Sequence, residues 1–294
     1  MQMKKLSIII VTYNSEKDIY DCVRSLMHYS DIPLSEIELI IVDNSIGPSD
    51  AMFSQLRNLW GDDILCIRND HNGGYGQGNN VGLRQSHSPI AMIMNPDVRL
   101  RERVFSRALQ RFDEESQLAV LGMKQYSSQS AATSKSFACG WLINGYFRTL
   151  LSVLCTRLDW FFPSCMYVQG SCFFLRKEPF ESVGMFDETN FLYGEEEDIH
   201  YRLVEKFGTA CYRYDKKLSY IHLTAQRDAS LKYEKDMVDA NVSLYTKKGI
   251  PSSIIVRHYK QSIRLLLFLD TLKGRRNLHY RQVLEQFLEY LDQK

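Results

Sequence analysis

Leu6-Ser7-Ile8-Ile9-Ile10-Val11-Thr12-Tyr13-Asn14-Ser15 decides the fold class. A short, mostly β-branched apolar run without polar alternation reads as a strand buried on both faces. It breaks at Thr12 into polar residues and then into a helical pattern. Ile19, Cys22, Val23 and Leu26 fall at i, i+3, i+4 and i+7, one apolar helix face. Ser15, with Asp18 three positions later, predicts a capping box at the start of that helix. The alternation continues outward. Strands are predicted over 38–42, 64–67, 90–94 and 118–123, with helices near 52–59 and 77–85. Such alternation argues for an α/β fold, a mostly parallel sheet flanked by helices.

Polar residues gather where these strands end: Thr12-Tyr13-Asn14, Asp43-Asn44-Ser45, Asn69 to Asn72, and Asn95-Pro96-Asp97. In open α/β sheets ligands bind beyond the carboxyl ends of the strands. Each end alone also reads as a turn built from Asn, Asp and Gly; four together favour a site along one sheet edge.

Composition narrows the function classes. The 294 residues are 45% hydrophobic and 24% charged, ordinary globular usage. Lysine plus arginine is 36 against 35 acids, a net charge of +1, so no nucleic-acid partner is expected. The seven cysteines are odd in number and contain no CxxC pair, which argues against a disulfide scaffold or a zinc site and for a reducing cytoplasm. The run from Ile8 to Val11 is too short for a signal peptide, and no uncharged apolar stretch reaches the roughly 18 residues of a bilayer span.

Farther along, 127–136 is rich in Ser and Ala and reads as a mobile loop, and 137–162 is aromatic without a clean period: core, lid, or a surface meeting a greasy partner. Tyr167 to Arg176 reads as one strand. Glu195 to Phe207 reads as a helix with acids first, Lys206 last and Gly208 as its stop. From Pro251 onward there are eight Lys/Arg and four Asp/Glu, a surplus of four. If helical there, Arg257, Lys260 and Arg264 share a face, and Leu284, Phe287, Leu288 and Leu291 form an apolar stripe. The tail therefore reads either as a helical extension packed on the domain or as a peripheral contact with anionic membrane.

Three stretches carry chemistry. Asn72-Gly73-Gly74-Tyr75-Gly76-Gln77-Gly78-Asn79-Asn80 is a glycine-rich loop opening a helix, which suits phosphate or a plain turn. It lacks the dinucleotide spacing and follows the third strand, which argues against an NAD-dependent enzyme. Asn95-Pro96-Asp97 reads as a type I turn, or as a strand-end carboxylate for a divalent cation. Tyr193-Gly194-Glu195-Glu196-Glu197-Asp198 is a solvated acidic first turn or the seat of a general base.

In order along the chain, Ser7-Ile-Ile-Ile-Val-Thr-Tyr-Asn14, Val42-Asp43-Asn44-Ser45, the Asn72 to Gly82 stretch, Met94-Asn95-Pro96-Asp97-Val98, Val168-Gln169-Gly170-Ser171-Cys172, Gly184-Met185-Phe186-Asp187-Glu188 and Phe191 to Asp198 resemble the motifs of family 2 glycosyltransferases, in particular a rhamnosyltransferase-like subgroup of bacterial surface polysaccharide synthesis. The resemblance spans about residues 5 to 225. It implies a glycosyltransferase A fold: a catalytic domain over 1–225, its nucleotide half 1–123 and acceptor half 124–225, then a helical extension over 226–294. It implies an inverting transfer of one sugar from a nucleotide sugar, with a pyrimidine nucleoside diphosphate favoured, to a glycan or lipid-linked saccharide. Thr12, Tyr13 and Asp43 would hold the base and ribose, and Asn72, Gly74 and Asn80 would shape the pocket. Asp97, with Asn95 in place of the family's first acid, and His222 would hold Mg²⁺ or Mn²⁺. Glu196 stands where the family carries its base, with Glu195 and Asp198 as alternatives. The family's processive Gln-x-x-Arg-Trp is absent, so a single sugar is expected. The rival reading is a nucleotide- or glycan-binding protein of the same fold without turnover.

Overall fold

The computed structural model describes residues 4–127, 134–223, 230–272, 274 and 277–294. Most of the Ser/Ala-rich loop, the expected boundary at 225/226, and the tail cations Lys273, Arg275 and Arg276 lie outside these residues. The chain divides into two compact units. The first comprises Met1–Ser136, Val168–Phe191 and Asp198–Gln226; the second comprises Phe137–Tyr167, Leu192–Glu197 and Arg227–Lys294.

The first unit opens as the sequence predicts: β1 (Leu6–Thr12), α1 (Glu16–Tyr29), β2 (Ile37–Asp43), α2 (Asp50–Trp60), β3 (Leu65–Arg68), α3 (Gly74–Gln85) and β4 (Ile90–Met94). β5 (Val98–Leu100), α4 (Phe105–Glu114) and β6 (Val120–Tyr126) follow. The second unit holds a ribbon of β7 (Phe137–Cys139) and β8 (Met166–Val168), with α5 (Gly145–Leu158) between them. β9 (Cys172–Arg176), α6 (Lys177–Ser182), α7 (Glu195–Phe207) and β10 (Tyr212–His222) come next, then the second unit's α8 (Leu231–Lys247), α9 (Ser252–Leu272) and α10 (Leu278–Asp292).

The main sheet has eight strands in the order β3-β2-β1-β4-β9-β6-β10-β5. β1 lies parallel to β2 and β4, β2 to β3, and β6 to β10, whereas β9 runs antiparallel between β4 and β6 and β5 antiparallel to β10. It is a mostly parallel sheet flanked by helices. Its core is the apolar run the sequence singled out: Leu6, Ile8, Ile10, Leu39, Ile41, Met92 and Phe174 are fully buried, and Ile19, Cys22, Val23 and Leu26 of α1 pack against them.

Two local expectations are corrected. No capping box forms at α1: the Ser15 hydroxyl donates to the Tyr13 carbonyl at 3.1 Å and accepts from the Tyr13 N–H at 3.2 Å, so it is turned away from the helix. Asn14, at φ +51°, redirects the chain there and donates its N–H to Ser45 Oγ at 2.8 Å. Nor is 167–176 one strand. It breaks at Gly170-Ser171, whose polar groups turn to other partners: Tyr75 Oη donates to the Gly170 carbonyl at 2.5 Å, Asn95 N–H to the Ser171 carbonyl at 2.8 Å, and Ser171 Oγ to Gln125 Oε1 at 2.7 Å.

The glycine-rich stretch is mostly helix, since α3 begins at Gly74. Gly74 sits at φ +86°, and a Cβ there would stand 1.8 Å from the Phe191 carbonyl oxygen, so only glycine fits. Gly78 and Gly82 instead let α3 lie close on β1, where a Cβ would come within 2.7 Å of Val11 and 2.5 Å of Ile9.

Candidate active site

The parallel pairings align the carboxyl ends of β1, β2, β3 and β4 on one edge of the first unit, and β6 and β10 end on that edge too. Thr12 and Asp43 are register partners at the ends of β1 and β2. Thr12 Oγ1 donates to Asp43 Oδ1 at 2.8 Å, Ser45 Oγ to the same oxygen at 2.7 Å, and Ser49 Oγ to Asp43 Oδ2. Asp43 is only 2% exposed, so its carboxylate organises the 43–49 rim from beneath, while Tyr13 stands half exposed at the same edge.

Asparagines tie this rim to α3. Asn69 Nδ2 donates to Asn44 Oδ1 at 2.8 Å and to Gln77 Oε1 at 2.6 Å, and Asn44 Nδ2 donates to the Gly74 carbonyl at 3.1 Å. Asn72 Oδ1 accepts from Gly74 N–H at 3.1 Å. Asn80 is buried. Its Nδ2 donates to the Phe186 carbonyl and to Glu188 Oε1, both at 2.9 Å, and its Oδ1 accepts from Phe186 N–H at 3.1 Å. It shapes the edge by anchoring the 184–188 segment.

Asp97 and His222, far apart in sequence, come together because β5 pairs with the end of β10, His222 opposite Val98. His222 Nε2 lies 3.3 Å from Asp97 Oδ2, with both side chains largely buried. Asn95, at the end of β4, is held through its N–H on Ser171. Among the described residues no group of three or more His, Cys, Asp and Glu gathers for a metal ion. Asp97 and His222 nonetheless form a paired oxygen and nitrogen donor set.

Sequence reasoning missed the buried support under this edge. Gln125 Oε1 accepts from Ser171 Oγ and, at 2.9 Å, from Tyr220 Oη, and Ser171 Oγ lies 2.8 Å from Tyr220 Oη. Gln125 and Tyr220 stand in strands and carry no local signal; only the register of β6 with β10 brings them together.

The acidic run separates at the start of α7. Glu195, Glu197 and Asp198 are buried, and Glu196 is the one partly open to solvent. Asp198, in the first unit, is paired with Arg202 one helical turn on, whose Nε stands 2.8 Å away. Glu197, which the motif does not mark as a base, lies in the second unit. Its Oε1 accepts from Trp141 N–H at 2.8 Å and from Tyr245 Oη, while Oε2 has no hydrogen-bond partner among the described residues. Burial pushes the Glu197 carboxyl above its ordinary value, against the opposing pull of Tyr245, the Trp141 N–H and Arg148. Trp141 is itself sandwiched: its ring stacks on Tyr259 at 3.4 Å between centroids, and the Arg148 guanidinium lies 3.4 Å from its ring centre. Trp141 and Tyr245 thereby tether the turn that carries Glu196.

Residues 7–184 match the family described as glycosyl transferase family 2. The low-salt glycan biosynthesis hexosyltransferase Agl10 of Haloferax volcanii is 29% identical over 204 residues, covering 67% of this chain and 61% of that protein. The poly(ribitol-phosphate) β-N-acetylglucosaminyltransferase TarS of Staphylococcus aureus is 28% identical over 134 residues, 45% of this chain and 23% of TarS. The chain thus spans less than two thirds of either relative's length. The structure of TarS 1–349 with UDP superposes at a TM-score of 0.55 and 16% identity, covering 91% of this chain and 72% of that one. The mannosyltransferase PcManGT of Pyrobaculum calidifontis, with GDP-Man and Mn²⁺, superposes at 0.63 and 12% identity, covering 99% and 86%. These likenesses show the glycosyltransferase A fold. With the family match covering more than half of its length, the chain belongs to glycosyl transferase family 2.

Proposed function

We propose that this protein transfers a single hexosyl or deoxyhexosyl residue, with inversion, from a nucleotide sugar to a glycan or lipid-linked saccharide acceptor, in the manner of a rhamnosyltransferase of surface polysaccharide synthesis. The observation that carries this reading is the gathering of Thr12, Asp43, Asn72, Gly74, Asn95, Asp97 and His222 at one sheet edge of the first unit. A nucleoside diphosphate lies along that edge, with Tyr13 beside the base and the 43–49 rim and the start of α3 shaping its pocket. Relatives that carry UDP or GDP-Man support a nucleotide-sugar donor; a pyrimidine base is this chain's expected preference. The catalytic domain is assigned to 1–225 and the helical extension to 226–294, and a cytoplasmic protein in peripheral contact with membrane would meet a lipid-linked acceptor there.

Asp97 and His222 fit a divalent cation. A carboxylate and an imidazole at 3.3 Å, with the amide of Asn95 in the same turn, offer few protein donors, as in sites that substrate phosphates and water complete. The mixed oxygen and nitrogen set suits Mn²⁺ better than the harder Mg²⁺. A cation held by Asp97 and His222 would supply positive charge to offset that of the departing nucleoside diphosphate.

Glu196 is assigned as the base, taking the proton from the acceptor hydroxyl as that oxygen attacks the anomeric carbon. It is the carboxylate of 195–198 open to solvent, whereas Asp198 is committed to Arg202 and Glu197 to Trp141 and Tyr245. General-base catalysis contributes about 10²- to 10⁴-fold. Glu196→Gln should lose that much turnover and keep donor binding, with the product's anomeric configuration read by NMR in the wild type. Retention of configuration, or full turnover by Glu196→Gln, would overturn the assignment. Donor binding without any turnover by the wild type would favour the binding-protein reading, whose support is Asn95 and Glu196 in place of the family's acids.

A further inference from the structure

Helix α5 is packed inside out. It buries its small residues Gly145, Thr149 and Cys155 and exposes Tyr146, Phe147, Leu150, Val153, Leu154 and Leu158. At 100° per residue these six, with Arg157, fall within an arc of about 140°. Trp160 and Phe162, just past the helix, are 52% and 43% exposed. A contiguous apolar face of this kind marks an interaction surface.

Charge identifies the occupant. Arg157 is the one charged residue on the exposed face of α5, and the helix contains no acid. The neighbouring α9, which packs on α5 within the second unit, carries Arg257, Arg264, Phe268 and Leu272 on a single exposed stripe. Its only acid, Asp270, is paired with Arg281. Among the described residues, the exposed acids Asp236, Asp239, Glu285, Glu289 and Asp292 of this unit stand on α8 and α10 instead. A twofold dimer through α5 would set this arginine-bearing face, whose nearest acid is the partly buried Asp159 that caps the helix, against its own copy. Tryptophan and tyrosine beside leucine, phenylalanine and arginine match the interfacial layer of a bilayer, where an amphipathic helix buries its apolar face and its cations meet anionic headgroups.

We propose that α5, with Trp160, Phe162 and the Arg257–Leu272 stripe of α9, seats the second unit on an anionic lipid surface. This contact does not depend on the transfer reaction. It also puts the main apolar contact on a helix in the middle of the chain, with Arg257 and Arg264 of the basic tail as its charged flank.

The test is co-sedimentation of the full chain with phosphatidylcholine vesicles, with and without phosphatidylglycerol, at low and high salt. The wild type should pellet with phosphatidylglycerol vesicles and less so in high salt. The double variant Phe147→Ser, Leu154→Ser should lose about tenfold or more of that partition with an unchanged melting temperature, because both side chains are exposed in the free protein. If that variant melts early, Leu150→Gln and Arg157→Glu carry the same test. Three results would overturn the proposal. The wild type could fail to bind phosphatidylglycerol vesicles. Binding could survive the α5 variants and vanish only in Arg257→Glu, Arg264→Glu. Or ultracentrifugation without lipid could show a self-association that the α5 variants abolish while vesicles leave the wild type in solution.

Discussion

At the scale of single residues, burial sorts the candidate groups by what their substitution can report. Asp43 accepts from three hydroxyls beneath the rim, so Asp43→Ala removes the acceptor shared by the Thr12, Ser45 and Ser49 hydroxyls. Leaving buried polar groups unpaired costs about 1–3 kcal/mol. Asp43→Ala should therefore shift the urea midpoint downward as well as weaken nucleoside diphosphate binding, and an unchanged midpoint would show that the hydroxyls find other partners. Asp97 is held in a different way, against His222 at a turn rather than under a rim. Asp97→Asn keeps the size of the side chain and removes its charge. It should cut turnover sharply and blunt the response to Mn²⁺; full wild-type activity in excess chelator would remove the cation from the mechanism.

At the scale of elements, the first turn of α7 depends on a carboxyl that does not face the solvent. Glu197→Gln keeps an oxygen for the Trp141 N–H and Tyr245 Oη and removes a charge whose burial is unfavourable, so it should be neutral or stabilising near pH 7. Glu197→Ala removes the buried acceptor that both donors share and should cost on the order of 1–3 kcal/mol. The sign of the pH dependence follows from the raised value of Glu197 in the folded state. Its contribution is fully present below the carboxyl's unfolded value and is lost as pH rises through the folded value. Urea melts from acidic to neutral pH should show the wild type losing stability relative to Glu197→Gln over that range, and parallel profiles would place Glu197's folded value at its ordinary one. Elements of this kind were legible in the sequence where periodicity was strong. β1, α1, β4, α7 and the apolar stripe of α10 lie within a residue or two of where the spacing puts them. Where the chain trades its regular pattern for distant partners, local pattern failed. Ser15 turned to Tyr13, Gly170-Ser171 was captured by Tyr75, Asn95 and Gln125, and Glu197 was read as one more surface acid because Trp141 and Tyr245 lie about 50 residues away on either side of it.

At the scale of the whole molecule, the sheet order converts four short sequence motifs into one edge, and that edge predicts a linkage between two ligands. Asp97 and His222 supply few donors for a cation, so its affinity should be weak until phosphate oxygens complete the coordination shell. The nucleotide of the proposed site would meet hydroxyls, amides and buried carboxylates at this edge, and the Arg99 guanidinium beside the Asp97 turn is already engaged by the Pro96 and Val98 carbonyls and by Asp18. Each ligand should therefore raise the affinity of the other by the same factor. A ligand at about 100 times its dissociation constant adds about 2.7 kcal/mol of stability, which for a chain of this size raises Tm by about 5 °C. Thermal melts with Mn²⁺ alone and with a panel of nucleoside diphosphates and nucleotide sugars alone should give small shifts. Together, one nucleotide of the panel should give a shift larger than the sum, and Asp97→Asn should remove that excess while keeping the smaller shift of the nucleotide alone. Strictly additive shifts, or an excess that survives in Asp97→Asn, would mean that cation and nucleotide do not share the edge formed by β1, β2, β4 and β10.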